Sequence, residues 1–387
     1  MNIDPADIKI CTDAEEKELS YHSGVTPPIA QTALFTYPTF AELLGALASE
    51  HTHHVYTRGQ NPTVELVEHK LQKLEHGEMC KCFASGMAAV SAIMLGLLEA
   101  GDHILFVNQI YGPTLELAQQ LERFGIQHDT MLDLHPSEWE GAVRKETRLI
   151  WFESPGTMLF RTLNIAKLVE FAKSRNILTA MDNTWATPLL QKPLDSGVDL
   201  VMHACSKYIG GHSDAIAGAV VGSAELVEQI YYRAFMLNGG VLAPFDAWLL
   251  LRGLRTLPIR LREHGESGLA VARFLAEHEA VARVYHPALS GVDDGHRDGL
   301  RGYTGLFSFE LSGGTFDDVV RVIDALKVFR IGVSWGGTES LAISPNRGDN
   351  AEYLSANDIS PGLIRLSVGL EGANALIDDL GSALALL

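Results

Sequence analysis

The chain is poor in the features of secreted and membrane proteins. Four cysteines in 387 residues cannot staple a protein of this size, so a disulfide framework is excluded. Cys80 and Cys82 flank one residue in an apolar run and are expected as buried free thiols, with no second pair nearby to complete a metal site. Basic residues are scarce, 30 Lys and Arg against 48 Asp and Glu, for a formal net charge of −18. That balance excludes a protein tracking a nucleic-acid backbone or an anionic membrane surface. Long apolar runs are missing too: the longest, Met87 to Leu98, is too short to cross a bilayer. The opening Met1-Asn2-Ile3-Asp4-Pro5 lacks the basic and apolar regions of a signal peptide, so the expected location is cytoplasmic. Neither Gly-x-x-x-x-Gly-Lys nor Gly-x-Gly-x-x-Gly occurs, which removes the main support for a nucleotide site.

What is present is ample apolar material, 47% of the chain, and a length suggesting two or three domains at roughly 150 residues each. Thr26-Pro27-Pro28-Ile29 cannot be helical, and the first fifty or so residues read as an arm, with a helical stretch at Phe40–Ser49. His51-Thr52-His53-His54 invites a metal reading, but adjacent histidines without a supporting carboxylate or thiolate rarely share an ion; no metal is expected. From residue 80 apolar runs of strand length recur at Cys80–Phe83, Ile104–Asn108, Leu149–Glu153, Ile177–Asp182, Leu200–Cys205 and Ala219–Gly222. Helical patterns at Gly86–Leu98, Pro113–Phe124 and Ile165–Ser174 lie between several of them. This alternation predicts an α/β fold with a mostly parallel sheet covered on both faces. After about residue 240 the pattern changes. Helices are expected at Phe245–Arg255, Arg260–His278, Phe316–Leu326 and Asn374–Leu387, with strands at Leu306–Leu311, Val328–Val333 and Leu363–Val368, a smaller α+β unit.

Parallel sheets bind ligands at the carboxyl ends of their strands, and three such ends carry polar residues. Phe83-Ala84-Ser85-Gly86-Met87 runs a strand into a helix whose free N–H groups could seat a phosphate. Asp182 closes an apolar strand, where a charge needs a cation to meet it unless it simply caps a turn. Lys207 follows another apolar strand in Cys205-Ser206-Lys207-Tyr208, ahead of Gly210 and Gly211. A desolvated lysine beside another cation has a lowered pKa and can serve as nucleophile and base. Phosphate seat, acid and lysine together fit pyridoxal phosphate, which needs a Schiff-base lysine, an acid facing its ring nitrogen and donors around its phosphate.

At these residues the sequence resembles the Cys/Met-metabolism family of pyridoxal-phosphate enzymes, and most resembles bacterial cystathionine β-lyases. The resemblance covers nearly the whole chain. It runs through Tyr56-Thr57-Arg58-Gly59-Gln60-Asn61-Pro62-Thr63, Ser85-Gly86-Met87, Tyr111-Gly112, Glu153-Ser154-Pro155-Gly156 and Asp182-Asn183-Thr184-Trp185. It continues in Ser206-Lys207-Tyr208, Gly211-His212-Ser213-Asp214, Arg252-Gly253-Leu254-Arg255-Thr256-Leu257, Ser334-Trp335-Gly336-Gly337 and Arg365-Leu366. It implies the aspartate-aminotransferase-like architecture of fold type I: an arm over residues 1–52 that reaches the neighbouring subunit, a cofactor-binding domain over 53–244 and a C-terminal domain over 245–387. By the same resemblance Lys207 carries pyridoxal 5'-phosphate, Asp182 pairs with the ring nitrogen and Tyr111 stacks on the ring. Ser85, Gly86, Met87 and Ser206 surround the phosphate, which Tyr56 and Arg58 reach from the next subunit, so that the smallest active unit is a dimer and the expected assembly a homotetramer. Arg365, with Ser334, Trp335 and Val333 beside it, is expected to hold the substrate carboxylate. Trp185, His212 and Asp214 are expected to pack or fix loops.

The implied activity is carbon–sulfur elimination from an amino acid, with β-elimination of L-cystathionine to homocysteine, pyruvate and ammonia as the leading reading. Val333 departs from it: bacterial β-lyases typically carry Tyr there, the cystathionine γ-enzymes Glu, and methionine γ-lyases Val. The Cys that marks methionine γ-lyases two residues after the stacking Tyr is Pro113, and Thr338 replaces a position often aromatic in β-lyases. A γ-lyase, a γ-replacement enzyme such as a homoserine-ester sulfhydrylase, and a protein that binds the cofactor without turnover are the alternatives.

Overall fold

The computed structural model describes residues 1–12, 24–289 and 299–387; part of the predicted arm, 13–23, lies outside them. Among the described residues no helix is long and apolar enough to cross a membrane. A seven-stranded sheet is built from β1 (Met79–Phe83), β2 (His103–Val107), β3 (Gln127–Met131), β4 (Thr147–Glu153), β5 (Leu178–Asp182), β6 (Leu200–His203) and β7 (Gly218–Gly222), in the order β1-β7-β6-β5-β4-β2-β3. Pairing is parallel from β6 across to β3, and β7 runs antiparallel to both its neighbours. Successive strand residues serve opposite faces. Phe106, Trp151 and Ala180 pack towards the helices Gly86–Leu97 and Ala224–Ile230, while Leu105, Val107, Ile150 and Met181 pack towards the helix Ile165–Lys173. Covering on both faces is why the strands read as continuous apolar runs.

The second sheet has five strands in the order β10-β11-β12-β9-β8, with β8 (Val281–Tyr285), β9 (Leu306–Leu311), β10 (Arg330–Ile331), β11 (Leu341–Ile343) and β12 (Leu363–Ser367). The expected α/β class with a smaller α+β unit is therefore the observed one. A single helix, Pro244–Ala276, joins the two sheets; the sequence pattern had divided it in two. Pro258 lies inside it and offers no N–H to the turn before. The helix continues because Leu250, Leu254, Leu257, Leu261 and Val271 bury one stripe in the common core. Three strands lacked a readable pattern. The edge strand β3 is polar, Gln-His-Asp-Thr-Met, β8 leaves Ala282 and Arg283 exposed, and β11 has only three residues. The expected strand Val328–Val333 contracts to Arg330–Ile331, and Val333 is 80% exposed.

Near the N-terminus the helix Pro5–Thr12 is tied to its own chain. Asp7 meets Lys192 at 2.9 Å with both buried, and Lys70 donates to the Ile10 carbonyl at 2.8 Å.

Candidate active site

The carboxyl ends of β1, β4, β5 and β6 and the mouth of the second sheet enclose a cavity of about 230 Å³. Ser85, Gly86, Met87, Tyr111, Asp182, Ser206, Lys207, Trp335 and Arg365 line it together. Ser334 lies outside this lining and accepts a hydrogen bond from the Lys207 amine at 2.8 Å.

At the end of β1, Ser85 is the N-cap of the helix Gly86–Leu97, and its hydroxyl accepts from the Ala88 N–H at 3.0 Å. The first two N–H groups of that helix, on Gly86 and Met87, have no carbonyl one turn back to bond. A Cβ on Gly86 would stand 3.0 Å from the Ala204 Cβ, so glycine lets the turn lie close against the strand behind it. The Ser206 hydroxyl is held in the loop by the Ala217 N–H at 2.9 Å. The two free N–H groups at the helix N-terminus, with the Ser206 hydroxyl on the same cavity, form a seat for an anion.

Asp182 ends β5, and its Oδ1 accepts from both the N–H and the hydroxyl of Thr184, the former at 2.9 Å. Burial pushes its carboxyl above the usual range, against the Thr184 hydrogen bonds and the nearby His203 and Lys207. Glu153, at the end of the adjacent β4, is raised further by burial and by Asp182 beside it. Its Oε1 accepts the Tyr111 N–H at 2.7 Å, which fixes the backbone at Tyr111. Sequence reasoning quoted Glu153 as part of a motif without this role; the contact joins residues far apart in the chain and has no local signal.

Lys207 lies in the loop after β6 with its amine over the Trp335 ring, 5.3 Å from the centroid. Burial, and then the Arg365 guanidinium, lower its pKa to about 8 against the opposing pull of Asp182. Arg365, on β12 and 9% exposed, spends one Nη on the Val333 carbonyl at 3.0 Å. Burial lowers it to about 10, so it stays a cation at neutral pH. Anion seat, carboxyl and lowered-pKa lysine thus converge, and the residues present fit pyridoxal phosphate.

Of the other predicted residues, Trp185 also lines the cavity and the rest lie outside its lining. Tyr56 and Arg58 do not line the cavity; Tyr56 is 45% exposed, with the Arg58 guanidinium 5.7 Å from its ring centroid. Val333 turns its side chain outward while its carbonyl serves Arg365. Trp185 is buried and donates to the Leu306 carbonyl at 2.9 Å, and His212 bonds the Gly210 carbonyl at 2.8 Å. The three histidines diverge. His54 pairs with Glu65, His51 with Tyr232 and Glu228, and His53 with Ser49 and Thr52. Among the described residues no group of three His, Cys, Asp or Glu is placed to hold a metal ion.

Comparison with known proteins bears on the same site. The family model for Cys/Met metabolism PLP-dependent enzymes matches residues 9–385. An L-methionine gamma-lyase of Pseudomonas putida is 38% identical over 94% of this chain and 93% of its own. A cystathionine beta-lyase of Coxiella burnetii is 36% identical over 94% and 96%. The crystal structure of cystathionine gamma synthase from Xanthomonas oryzae pv. oryzae in complex with cystathionine superposes with a TM-score of 0.90 at 36% identity, covering 98% of this chain and 97% of that one. The chain belongs to the Cys/Met metabolism family of PLP-dependent enzymes.

Proposed function

We propose that the protein is a carbon–sulfur lyase that eliminates across Cα and Cβ of L-cystathionine, giving homocysteine, pyruvate and ammonia, and so contributes to methionine biosynthesis. The observation that carries this reading is the convergence of Lys207, Asp182 and Arg365 on one cavity. Lys207 would hold the cofactor, Asp182 would face its ring nitrogen, Tyr111 its ring, and Ser85, Gly86, Met87 and Ser206 its phosphate. Once bound, pyridoxal phosphate supplies an electron sink for the carbanion left at Cα. Arg365 fixes the substrate carboxylate through its guanidinium fork. That orientation brings Cα to the Lys207 amine, whose pKa of about 8 suits proton removal near neutral pH. Ser334, in contact with that amine, steers it between its positions.

Tyr56 and Arg58 would complete the phosphate seat of a second subunit, consistent with their distance from the cavity of their own chain. The helix Phe40–Ala48 exposes Phe40, Leu44 and Leu47, an apolar face suited to such an assembly. Dimers that share active sites, paired into a homotetramer, are the expected form.

Val333 favours a second reading. Its apolar side chain, 80% exposed and outside the cavity lining, offers no polar group to a zwitterionic distal end that would extend past Ser334. A γ-substituted amino acid with a simpler distal group suits that surface, and Lys207 would then serve as base twice, at Cα and at Cβ. The keto acid released from L-cystathionine by the cofactor-loaded protein decides between them. Pyruvate with homocysteine supports the first reading; 2-oxobutyrate with cysteine overturns it in favour of γ-elimination.

A further inference from the structure

The motif Arg252-Gly253-Leu254-Arg255-Thr256-Leu257 and the arginine that follows it lie outside the cavity, yet they touch the loop that carries Lys207. Arg260, on the helix Pro244–Ala276, is 5% exposed. A buried charge ordinarily needs a counter-charge, but among the described residues no carboxylate pairs with this guanidinium. Its donors go instead to the Tyr208 carbonyl at 2.8 Å, the Gly253 carbonyl at 2.8 Å and the Thr256 hydroxyl at 3.0 Å. Tyr208 is the residue after Lys207, and it is itself buried.

The surrounding backbone is built to admit this contact. Gly211 has φ +68°, and a Cβ on it would overlap the Arg260 guanidinium. A Cβ on Gly253 would overlap the carbonyl oxygens of Ile209 and Gly210. The turn is closed by the Gly211 N–H donating to the Lys207 carbonyl at 2.7 Å and the Gly210 N–H to the Cys205 carbonyl at 2.8 Å. The Tyr208 carbonyl is therefore a buried acceptor at a point where the chain reverses, and it needs a donor from another element. Arg260 supplies that donor from the helix that joins the two sheets. The Tyr208 ring continues the contact on its other side, with Trp335 at 5.5 Å and His264 at 5.1 Å between centroids.

We infer that Arg260 is a positioning residue for Lys207: its guanidinium seats the turn Tyr208–Gly211 on the joining helix and so sets where the lysine amine stands between Asp182, Arg365 and Ser334. The inference rests on reading Lys207 as the reactive amine. It is tested first without turnover, by acetylating the apo-protein over a range of pH and following Lys207 by peptide mass spectrometry.

In the wild type, half-maximal modification is expected near pH 8. In Arg260→Lys, whose ammonium cannot reproduce the fork, the midpoint is expected to rise by about a pH unit as the amine moves into water. The charged groups facing the amine, Asp182 and Arg365, are unaltered. The cofactor-loaded variant is expected to lose about 10- to 100-fold in kcat on L-cystathionine with KM within threefold, as for a displaced base. Gly211→Ala, which keeps the arginine but pushes its guanidinium aside, is expected to move the midpoint the same way. A folded Arg260→Lys protein whose Lys207 titration superimposes on the wild type overturns the inference. Should Lys207→Ala keep full activity, the proposed function falls, and the labelling experiment still judges Arg260 alone.

Discussion

Two lysines, one inside the seven-stranded sheet and one in the loop beyond β6, show how burial can produce opposite outcomes. Lys81, inside β1, is 1% exposed, and its ammonium is fully engaged: Glu68 at 2.9 Å, Gln60 Oε1 at 2.7 Å, and the faces of Tyr231 and Phe235 at 5.5 and 5.3 Å. Glu68 is engaged too, because its other oxygen accepts the Cys82 N–H at 2.9 Å. Lys207 is partly buried, with less around it. It has one hydroxyl, one aromatic face, a second cation in the same cavity and a carboxyl already hydrogen-bonded to Thr184. The first lysine is scaffold because both ionic partners are satisfied; the second has a lowered pKa because its charge is poorly compensated.

Removing each amine tests the contrast most directly. Lys207→Met is expected to lower elimination activity by more than about 10³-fold, since base and cofactor attachment go together. The same change should leave the apo-protein as stable as before or slightly more so, because a desolvated cation has been removed. Lys81→Met should do the reverse. It strands the Glu68 carboxylate and destabilises by about 3–5 kcal/mol in urea unfolding of the apo-protein. Adding Glu68→Gln, which keeps an acceptor for the Cys82 N–H, should recover most of that loss. A neutral Lys81→Met, or a strongly destabilised Lys207→Met, would erase the distinction.

The Lys207 side of this contrast was legible in the sequence and the Lys81 side was not, for a physical reason. A polar residue that ends an apolar run announces a strand end, and Ser85, Asp182 and Lys207 all do so within a few residues of local pattern. Lys81 lies between two cysteines inside a run, and its partners Glu68, Gln60 and Tyr231 come from other elements. Arg260 is hidden in the same way, since nothing near it in the chain shows that its donors serve a carbonyl 52 residues earlier. The fold followed the same rule. Strands buried on both faces were readable, whereas polar β3 and the helix running through Pro258 depend on neighbours that only the folded chain supplies. Tyr56 and Arg58 enter only through resemblance, because the role proposed for them in a second subunit would leave no pattern within one chain.

Arg365 gives a smaller, more selective effect. Arg365→Lys keeps a cation near Lys207 but loses the planar fork, so KM for the amino acid should rise about 10- to 100-fold while kcat changes less. Steady-state kinetics on whichever substrate proves active will show the split. An equal fall in kcat at constant KM would instead place Arg365 with the base rather than with the carboxylate.

The same contrast recurs, more weakly, between two buried histidines. His203 Nε2 lies 2.5 Å from the Glu75 carboxylate, whereas His264 Nδ1 meets only the neutral Val368 carbonyl, 2.8 Å away; among the described residues the other nitrogen of each ring has no hydrogen-bond partner. Burial lowers His264 to about 4, against that hydrogen bond and with Arg260 adding to the fall. With its pKa depressed in the folded state from an ordinary 6.5, the unfolded chain binds more protons between about pH 6.5 and 4. His264 therefore costs stability as the pH falls through that window, by up to about 1.4 kcal/mol per pH unit. His264→Asn retains a donor for Val368 and removes the titration, while the smaller side chain weakens packing by an amount that does not depend on pH. Urea unfolding of the apo-proteins at pH 7 and pH 5 should accordingly show the gap between wild type and variant narrowing as the pH drops. A gap that stays constant would mean that His264 takes up its proton as readily in the folded protein as in the unfolded chain, and the contrast between engaged and unengaged buried groups would end with the lysines.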